Sequence, residues 1–163
     1  MNIAIFVRDM DSPGGAERSM QALKEHLDSE HNVEIFSVKQ DSGGLKSFEL
    51  PIPFELKALL SYIESFSKKE ELDEFDPDLI LTQHELSYLG AKYSEKNDAE
   101  MILFLRDYSM VYRNRYWGRY RIDSTINYLL SYLKERFTRK VISQSSKVIA
   151  NSDYLGGIYE DYY

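Results

Sequence analysis

The stretch that decides the fold is "IAIFVRDMDSPGGAERSM", Ile3 to Met20. It begins with an unbroken apolar run, Ile3 to Val7, which is typical of a parallel strand covered on both faces. Two adjacent glycines, Gly14 and Gly15, then precede a segment with helical periodicity. Either they form a tight turn that lets the strand lead into a helix, or they present bare backbone amides to a ligand.

The same alternation continues along the chain. Further strands are predicted at Val33–Val38, Asp78–Gln83, Glu100–Leu105 and Lys147–Asn151. Helices are predicted at Glu17–Leu27, Glu55–Glu74, Leu86–Lys96 and Ser124–Ser145, the second ended by the "DPD" of residues 76–78. In the first helix Met20, Leu23 and Leu27 share one face. This order predicts an α/β fold, a Rossmann-like parallel sheet with helices on both faces and right-handed crossovers.

Composition narrows the class of protein. With 163 residues and 43% hydrophobic content, the chain suits one domain. It has no cysteine and only three scattered histidines, so we expect no disulfide and no metal site. The apolar runs are too short to cross a bilayer, and Met1 leads directly into a strand rather than a signal sequence. We therefore expect a cytoplasmic protein.

The net charge of −7 conceals a basic segment. Between Arg106 and Lys140, nine Lys and Arg residues stand against three acidic ones. The acidic remainder disfavours a nucleic-acid partner, whereas a local anionic ligand, or peripheral contact with the inner face of a membrane, fits the segment. The alternative is an ordinary solvated helix face.

Ligands of open parallel sheets bind beyond the carboxyl ends of the strands. Five places meet that condition here: the turns after Val7 and Val38, Thr82–His84, Arg106–Tyr108 and Asn151–Ser152. The glycines lack the G-x-G-x-x-G spacing of dinucleotide-binding proteins, and the chain has no G-x-x-x-x-G-K-[ST] loop and no G-x-S-x-G elbow. These absences disfavour an NAD-linked dehydrogenase, a P-loop ATPase and the common serine hydrolase.

Four stretches, in this order, resemble the amino-terminal domain of family-four retaining glycosyltransferases of the GT-B type. They are "GGAER" (14–18), "FDPDLILTQH" (75–84), "MILFLRDY" (101–108) and "SSKVIANSDYLGGIYEDYY" (145–163). The resemblance covers essentially the whole chain. It implies that residues 1–163 form the acceptor-side domain, that the carboxyl-terminal donor-binding domain is absent, and that this domain alone is inactive.

The resemblance also implies the reaction: a sugar passes from a nucleotide-sugar donor to a hydroxyl of a glycan or lipid-linked acceptor, with retention. It implies no cofactor and no required metal, because amides, helix dipoles and basic side chains stabilise the leaving diphosphate. It assigns no catalytic residue within this chain. A different class stays open, a noncatalytic Rossmann-like or flavodoxin-like module that recognises a sugar, a nucleotide or a protein.

By matching position, Gly14 and Gly15 would give amides to the donor phosphates or to the acceptor. Arg18, in the next helical turn, either faces the cleft or pairs on the surface. Arg106 stands where many relatives carry a histidine that contacts the sugar, which puts that role in doubt and suggests that an anion is bound instead. We expect the glycines to face Arg106 and Asp107 across neighbouring strand ends.

Three further residues carry open alternatives. Asp107 either binds an acceptor hydroxyl or orders its turn. His84 either substitutes for the missing histidine or is a hydrogen-bonded structural residue. Ser152 either touches the ligand or caps the following helix.

The stretch from Asp107 to Asp123 mixes tyrosines, arginines and the only tryptophan. Tyr108, Tyr112 and Arg113 in it suit stacking on sugar rings and binding of anions. We expect an acceptor-binding loop, or a membrane-proximal patch if the acceptor is lipid-linked. The alternative is a loop that packs against the missing domain.

Overall fold

The structure is a computed structural model. It describes residues 1–7, 14–37, 68–83, 87–106, 132 and 135–162. Five of the predicted site residues lie outside these ranges, namely His84, Asp107, Tyr108, Tyr112 and Arg113, as do most of the predicted second helix and the first part of the fourth.

Five strands form one parallel sheet. They are β1 (Asn2–Val7), β2 (Asn32–Ser37), β3 (Leu79–Gln83), β4 (Glu100–Leu105) and β5 (Lys147–Ala150), in the spatial order β2-β1-β3-β4-β5. The described helices are α1 (Gly15–Leu27), α2 (Lys69–Phe75), α3 (Ser87–Asn97), α4 (135–144) and α5 (Asp153–Tyr162). The predicted α/β fold and the five predicted strands are confirmed, with ends that differ by at most one residue.

The strands are covered on both sides because alternate side chains enter two separate cores. On the face covered by α1, Ile3 and Ile5 pack with Met20, and the predicted helix partners Leu23 and Leu27 pack against them. We call this the α1 face. On the opposite face, strand residues from β1 to β4 pack with side chains of the other helices, among them Ala4, Phe6, Ile80, Met101, Leu72, Leu89, Val141 and Leu155.

Helix α3 lies unusually close to the sheet at Gly90. A Cβ atom there would stand 3.1 Å from Met101 Sδ, 3.2 Å from Ile80 Cγ2 and 3.2 Å from Phe6 Cε2. Because those atoms belong to three neighbouring strands, glycine sets the distance between α3 and the middle of the sheet. Within the described helices, none is long and apolar enough to cross a membrane.

At the amino ends of the strands, a hydrogen-bond network centres on Asn2. Its side-chain Nδ2 donates to the Phe75 carbonyl at 3.0 Å, and its Oδ1 accepts from Asn32 Nδ2 at 3.0 Å. Its backbone N–H donates to Asp78 Oδ2 at 2.7 Å. Helix α2 ends at Asp76, in the left-handed region at φ 48°, as the "DPD" stretch predicts. We call this side of the sheet the amino edge, and its network joins β1, β2 and the α2–β3 connection.

Candidate functional site

The carboxyl ends of the parallel strands meet at the opposite side of the sheet, the carboxyl edge. The chain leaves β1 for β2 on one side and places β3 on the other. In such doubly wound sheets, the crevice between the two strands where the direction reverses is the usual ligand position. Here that crevice lies between the ends of β1 and β3, where α1 begins.

Gly14 and Gly15 stand at the start of α1, and both are exposed. Gly14 has φ −76° and ψ −171°, an extended conformation open to any residue, so a left-handed turn does not account for glycine there. A Cβ on Gly15 would meet no atom within 4 Å. Neither glycine places a side chain over the first backbone amides of α1.

One of those amides is already bonded within the chain. The Gly14 N–H donates to Glu17 Oε2 at 3.1 Å, which places a carboxylate at the positive end of the helix. Helical geometry leaves the N–H groups of Gly15 and Ala16 without an intrahelical partner. An oxyanion at this helix start would therefore bond Gly15 and Ala16 and compete with Glu17 for Gly14.

Arg106, directly after β4, is held from three sides. Its Nη2 donates to Ser19 Oγ in α1 at 2.7 Å, and its guanidinium carbon lies 5.4 Å from the centroid of the Phe104 ring. Asn151 Nδ2, at the end of β5, donates to the Arg106 carbonyl at 2.9 Å. The guanidinium is thus fixed over the α1 face, yet its buried Nε has no hydrogen-bond partner.

The contact between Arg106 and α1 corrects one expectation. The glycines and Arg106 do not follow neighbouring strands, because β3 lies between β1 and β4. Arg106 instead reaches α1 through the long side chain that bonds Ser19. Sequence order could not show this, since the spatial order of the strands is a tertiary property.

Gln83, the last residue of β3, is 1% exposed. Within the described part of the chain, neither its Nε2 nor its Oε1 has a hydrogen-bond partner. Gln83 is paired with Phe104 in the sheet and therefore points to the same α1 face. Gln83 thus ends the strand that lies between β1 and β4, on the face where Arg106 bonds Ser19.

Strand β2 also ends in a buried polar residue. Ser37, at the end of β2, is 6% exposed, and its Oγ has no partner. It is paired with Val7 and shares the α1 face. More than nine in ten buried polar groups in native proteins are hydrogen-bonded, so Ser37, Gln83 and Arg106, with four unpartnered atoms between them within the described part of the chain, mark this edge as the candidate site.

The opposite face at the same edge is satisfied. Thr82 Oγ1 donates to Ser87 Oγ at 3.1 Å, and both residues are buried. Ser152 Oγ accepts from the Leu155 N–H at 3.2 Å and so caps α5, the second of the alternatives given above. Arg18 is exposed and forms no ion pair within the described part of the chain. The unpartnered groups of this edge are thus concentrated on the α1 face.

Two basic side chains in the described part of α4 are paired with carboxylates. Arg139 bonds Glu135 in α4, and Lys140 reaches Glu95 of α3 at 2.8 Å. The Lys140 ammonium and Lys92 keep the pKa of the Glu95 carboxyl below its ordinary value. For these residues the solvated helix face is the better interpretation, and residues 107–131 lie outside the description.

Sequence patterns contain only partial signals for this site. Gln83 ends an otherwise apolar strand at one of the five strand-end positions, next to the candidate residue His84. The signal for Gln83 is that a polar residue continues a strand whose other residues are typical of burial on both faces. Ser19 and Ser37 carry no signal of their own, because serine is common on helix surfaces and at strand ends.

Comparison with known protein families identifies the family of the chain. A family model described as Glycosyltransferase Family 4 matches residues 13–163, from just before the two glycines through β5 and α5. The chain belongs to glycosyltransferase family 4. A comparison with curated proteins found no match. The family match, together with the parallel sheet, confirms a glycosyltransferase-type domain with a Rossmann-like fold.

Proposed function

We propose that this family 4 chain is the acceptor-side domain of a retaining glycosyltransferase of the GT-B type. Its carboxyl edge would form one wall of a cleft, and a donor-binding domain would supply the other. The observation that carries the proposal is the concentration of unpartnered buried polar atoms, Ser37 Oγ, Gln83 amide and Arg106 Nε, at the ligand edge of a family 4 sheet.

The proposed reaction transfers a sugar from a nucleotide-sugar donor to an acceptor hydroxyl, with retention at the anomeric carbon. The bond from that carbon to the diphosphate breaks, and negative charge develops on the leaving oxygen. The first amides of α1 are polarised to stabilise such charge, as is the guanidinium of Arg106. Stabilisation by these groups needs no metal ion, and a cytoplasmic location supplies nucleotide sugars.

The acceptor would lie on the α1 face, where fixed groups restrict its orientation. Ser19 and Asn151 hold Arg106 in one place before the substrate arrives. A preorganised group loses little freedom on binding, so much of the rate enhancement would come from positioning. The predicted roles of His84, Asp107, Tyr108, Tyr112, Arg113 and Ser152 in that binding stay predictions.

The decisive experiment is a turnover assay on the protein expressed from its complete reading frame. We expect release of nucleoside diphosphate from one member of a panel of UDP-, GDP- and ADP-sugars, with the anomeric configuration of the product retained by NMR. We also expect a second domain with two glutamates seven residues apart. The 163-residue chain alone should show no turnover.

Two outcomes would refute the proposal. A natural stop codon after Tyr163 would leave no donor-binding domain and would favour the noncatalytic binding module. An inverted product would remove the retaining mechanism. Peripheral membrane contact is tested separately by sedimentation with anionic vesicles, where binding that requires residues 106–140 would support it.

A further inference from the structure

We propose that Arg106, Gln83 and Ser19 form a binding position for an oxyanion, a carboxylate or a phosphate, that has a hydroxyl beside it. This inference rests on the proposed function and deepens it, because it makes one substrate of the transferase anionic at this point. The same chemistry has two sources, the diphosphate of the donor or an acidic group on the acceptor.

The guanidinium of Arg106 has hydrogen-bond donors that can bind an oxyanion. A guanidinium has five N–H donors in a planar fork, and Ser19 accepts from Nη2. Within the described residues no carboxylate forms an ion pair with Arg106, and Nε bonds nothing although it is buried. A half-buried cation without a counter-charge attracts an oxyanion, which the fork binds through two parallel hydrogen bonds.

The side-chain amide of Gln83 supplies both a hydrogen-bond donor and a hydrogen-bond acceptor at the same position. Its amide is 1% exposed, and both polar atoms lack partners. Burial of such an amide costs free energy unless something bonds it. An oxyanion accepts from Nε2 while a neighbouring hydroxyl donates to Oε1, so a uronate or a sugar phosphate satisfies both atoms.

Arg106, Gln83 and Ser19 lie close together on the α1 face. The guanidinium lies over Phe104, and Gln83 is the residue paired with Phe104 on the neighbouring strand, one strand spacing of about 5 Å away. Ser19 follows Gly15 by four residues, which is about 6 Å along the helix axis. A substrate on this face can therefore reach the oxyanion position and the first amides of α1 together.

Calorimetric titration of the 163-residue chain tests the inference with two matched pairs of probes. D-glucuronate is compared with D-glucose, and UDP with uridine. We expect one charged probe to bind about tenfold or more tightly than its neutral partner, as a charge-assisted hydrogen bond provides. Preference for glucuronate identifies an acidic acceptor as the source, and preference for UDP identifies the donor diphosphate.

Variants assign the binding to the named side chains. Arg106→Ala should weaken the charged probe about tenfold or more, and Arg106→Lys should recover part of the affinity because it keeps charge without the fork. The matched control is Arg139→Ala, which removes the same charge from an exposed site that bonds Glu135. It should leave the affinity within about twofold.

Gln83→Met keeps the inference testable if Arg106→Ala fails to fold. The thioether matches the length of the amide without its polar atoms, so the variant should fold and should bind the charged probe more weakly than wild type. A merely structural Gln83 would leave that affinity unchanged. The inference is overturned if neither charged probe binds better than its neutral partner, or if Arg106→Ala and Gln83→Met both bind as wild type.

The two proposals fail separately. If the full reading frame transfers sugar and Arg106→Ala leaves probe binding unchanged, only the oxyanion position is wrong. If no nucleotide sugar is consumed and glucuronate binding still depends on Arg106, the oxyanion position stands and the transferase proposal is wrong.

Discussion

At the amino edge of the sheet the Asn2 amide donates to the Phe75 carbonyl and accepts from Asn32, whereas at the carboxyl edge the Gln83 amide bonds nothing. Both amides are at strand ends of the same sheet, and Gln83 is the more deeply buried of the two. Asn2 therefore contributes to stability, while Gln83 lowers it.

The difference separates what holds the fold from what the fold is used for. At the amino edge each polar group named here closes a gap between elements and joins β1 to β2 and to the α2–β3 connection. At the carboxyl edge the unpartnered atoms sit where ligands of such sheets bind. Buried polar atoms without hydrogen-bond partners are expected at functional sites. Within the described strands, such atoms lie on the α1 face of the carboxyl edge.

The largest effect on stability is expected from Asn2→Ala. The change removes the side-chain bonds to the Phe75 and Asp76 carbonyls and leaves Asn32 Nδ2 without its acceptor. At about 0.5–1 kcal/mol for each of these three bonds, the free energy of unfolding should fall by about 2 kcal/mol in urea titrations. A loss below about 0.5 kcal/mol would show that the amino edge is not stabilised by its network.

The opposite sign is expected for Gln83→Met in the absence of ligand. Removal of an unpartnered buried amide ends a desolvation cost of about 1–3 kcal/mol, part of which is offset by imperfect packing of the new side chain. The free energy of unfolding should rise by about 1 kcal/mol in the same urea assay. A loss of stability as large as that of Asn2→Ala would mean that Gln83 is satisfied and that the two edges do not differ.

A smaller and pH-dependent effect is expected from Tyr93→Phe. The Tyr93 hydroxyl donates to Asp76 Oδ1 at 3.1 Å, and burial together with this carboxylate raises the pKa of Tyr93 to about 12. The native state thus keeps a proton that the unfolded chain loses near pH 10, so this contribution to stability is complete below pH 10 and is lost as the pH rises towards 12.

Urea titrations of wild type and Tyr93→Phe at pH 8 and pH 11 check this. The variant should be less stable by about 1 kcal/mol at pH 8, because the hydrogen bond is lost. At pH 11 the gap between the two proteins should narrow. An equal gap at both pH values would contradict the assigned role of the Asp76 contact.

Much of the fold could be predicted because it depends on local patterns. Runs such as Ile3–Val7 are apolar on both sides, which requires a doubly covered strand, and the confirmed core contacts of Met20 follow from helical periodicity. The rule that ligands bind beyond the carboxyl ends of parallel strands also predicts the place where Arg106 lies. No sequence pattern contains the spatial order β1-β3-β4 of the strands. The contact between Arg106 and Ser19 depends on that order.

The candidate site was predictable only in outline for the same reason. Arg106 is conspicuous because it interrupts a motif, whereas the importance of Gln83 appears only when its burial and its missing partners are known together. Burial of a strand-end residue depends on the tertiary packing around it. Sequence spacing does not report that packing.

The most direct test of the account follows the side-chain amide groups by ¹H–¹⁵N NMR while D-glucuronate and, separately, UDP are titrated into the 163-residue chain. We expect the Gln83 amide resonances to shift saturably with one of these probes, while those of Asn2 and Asn32 stay in place because their partners do not change. If the Gln83 resonances do not move with either probe, or if all three amides move alike, the carboxyl edge is not the ligand site.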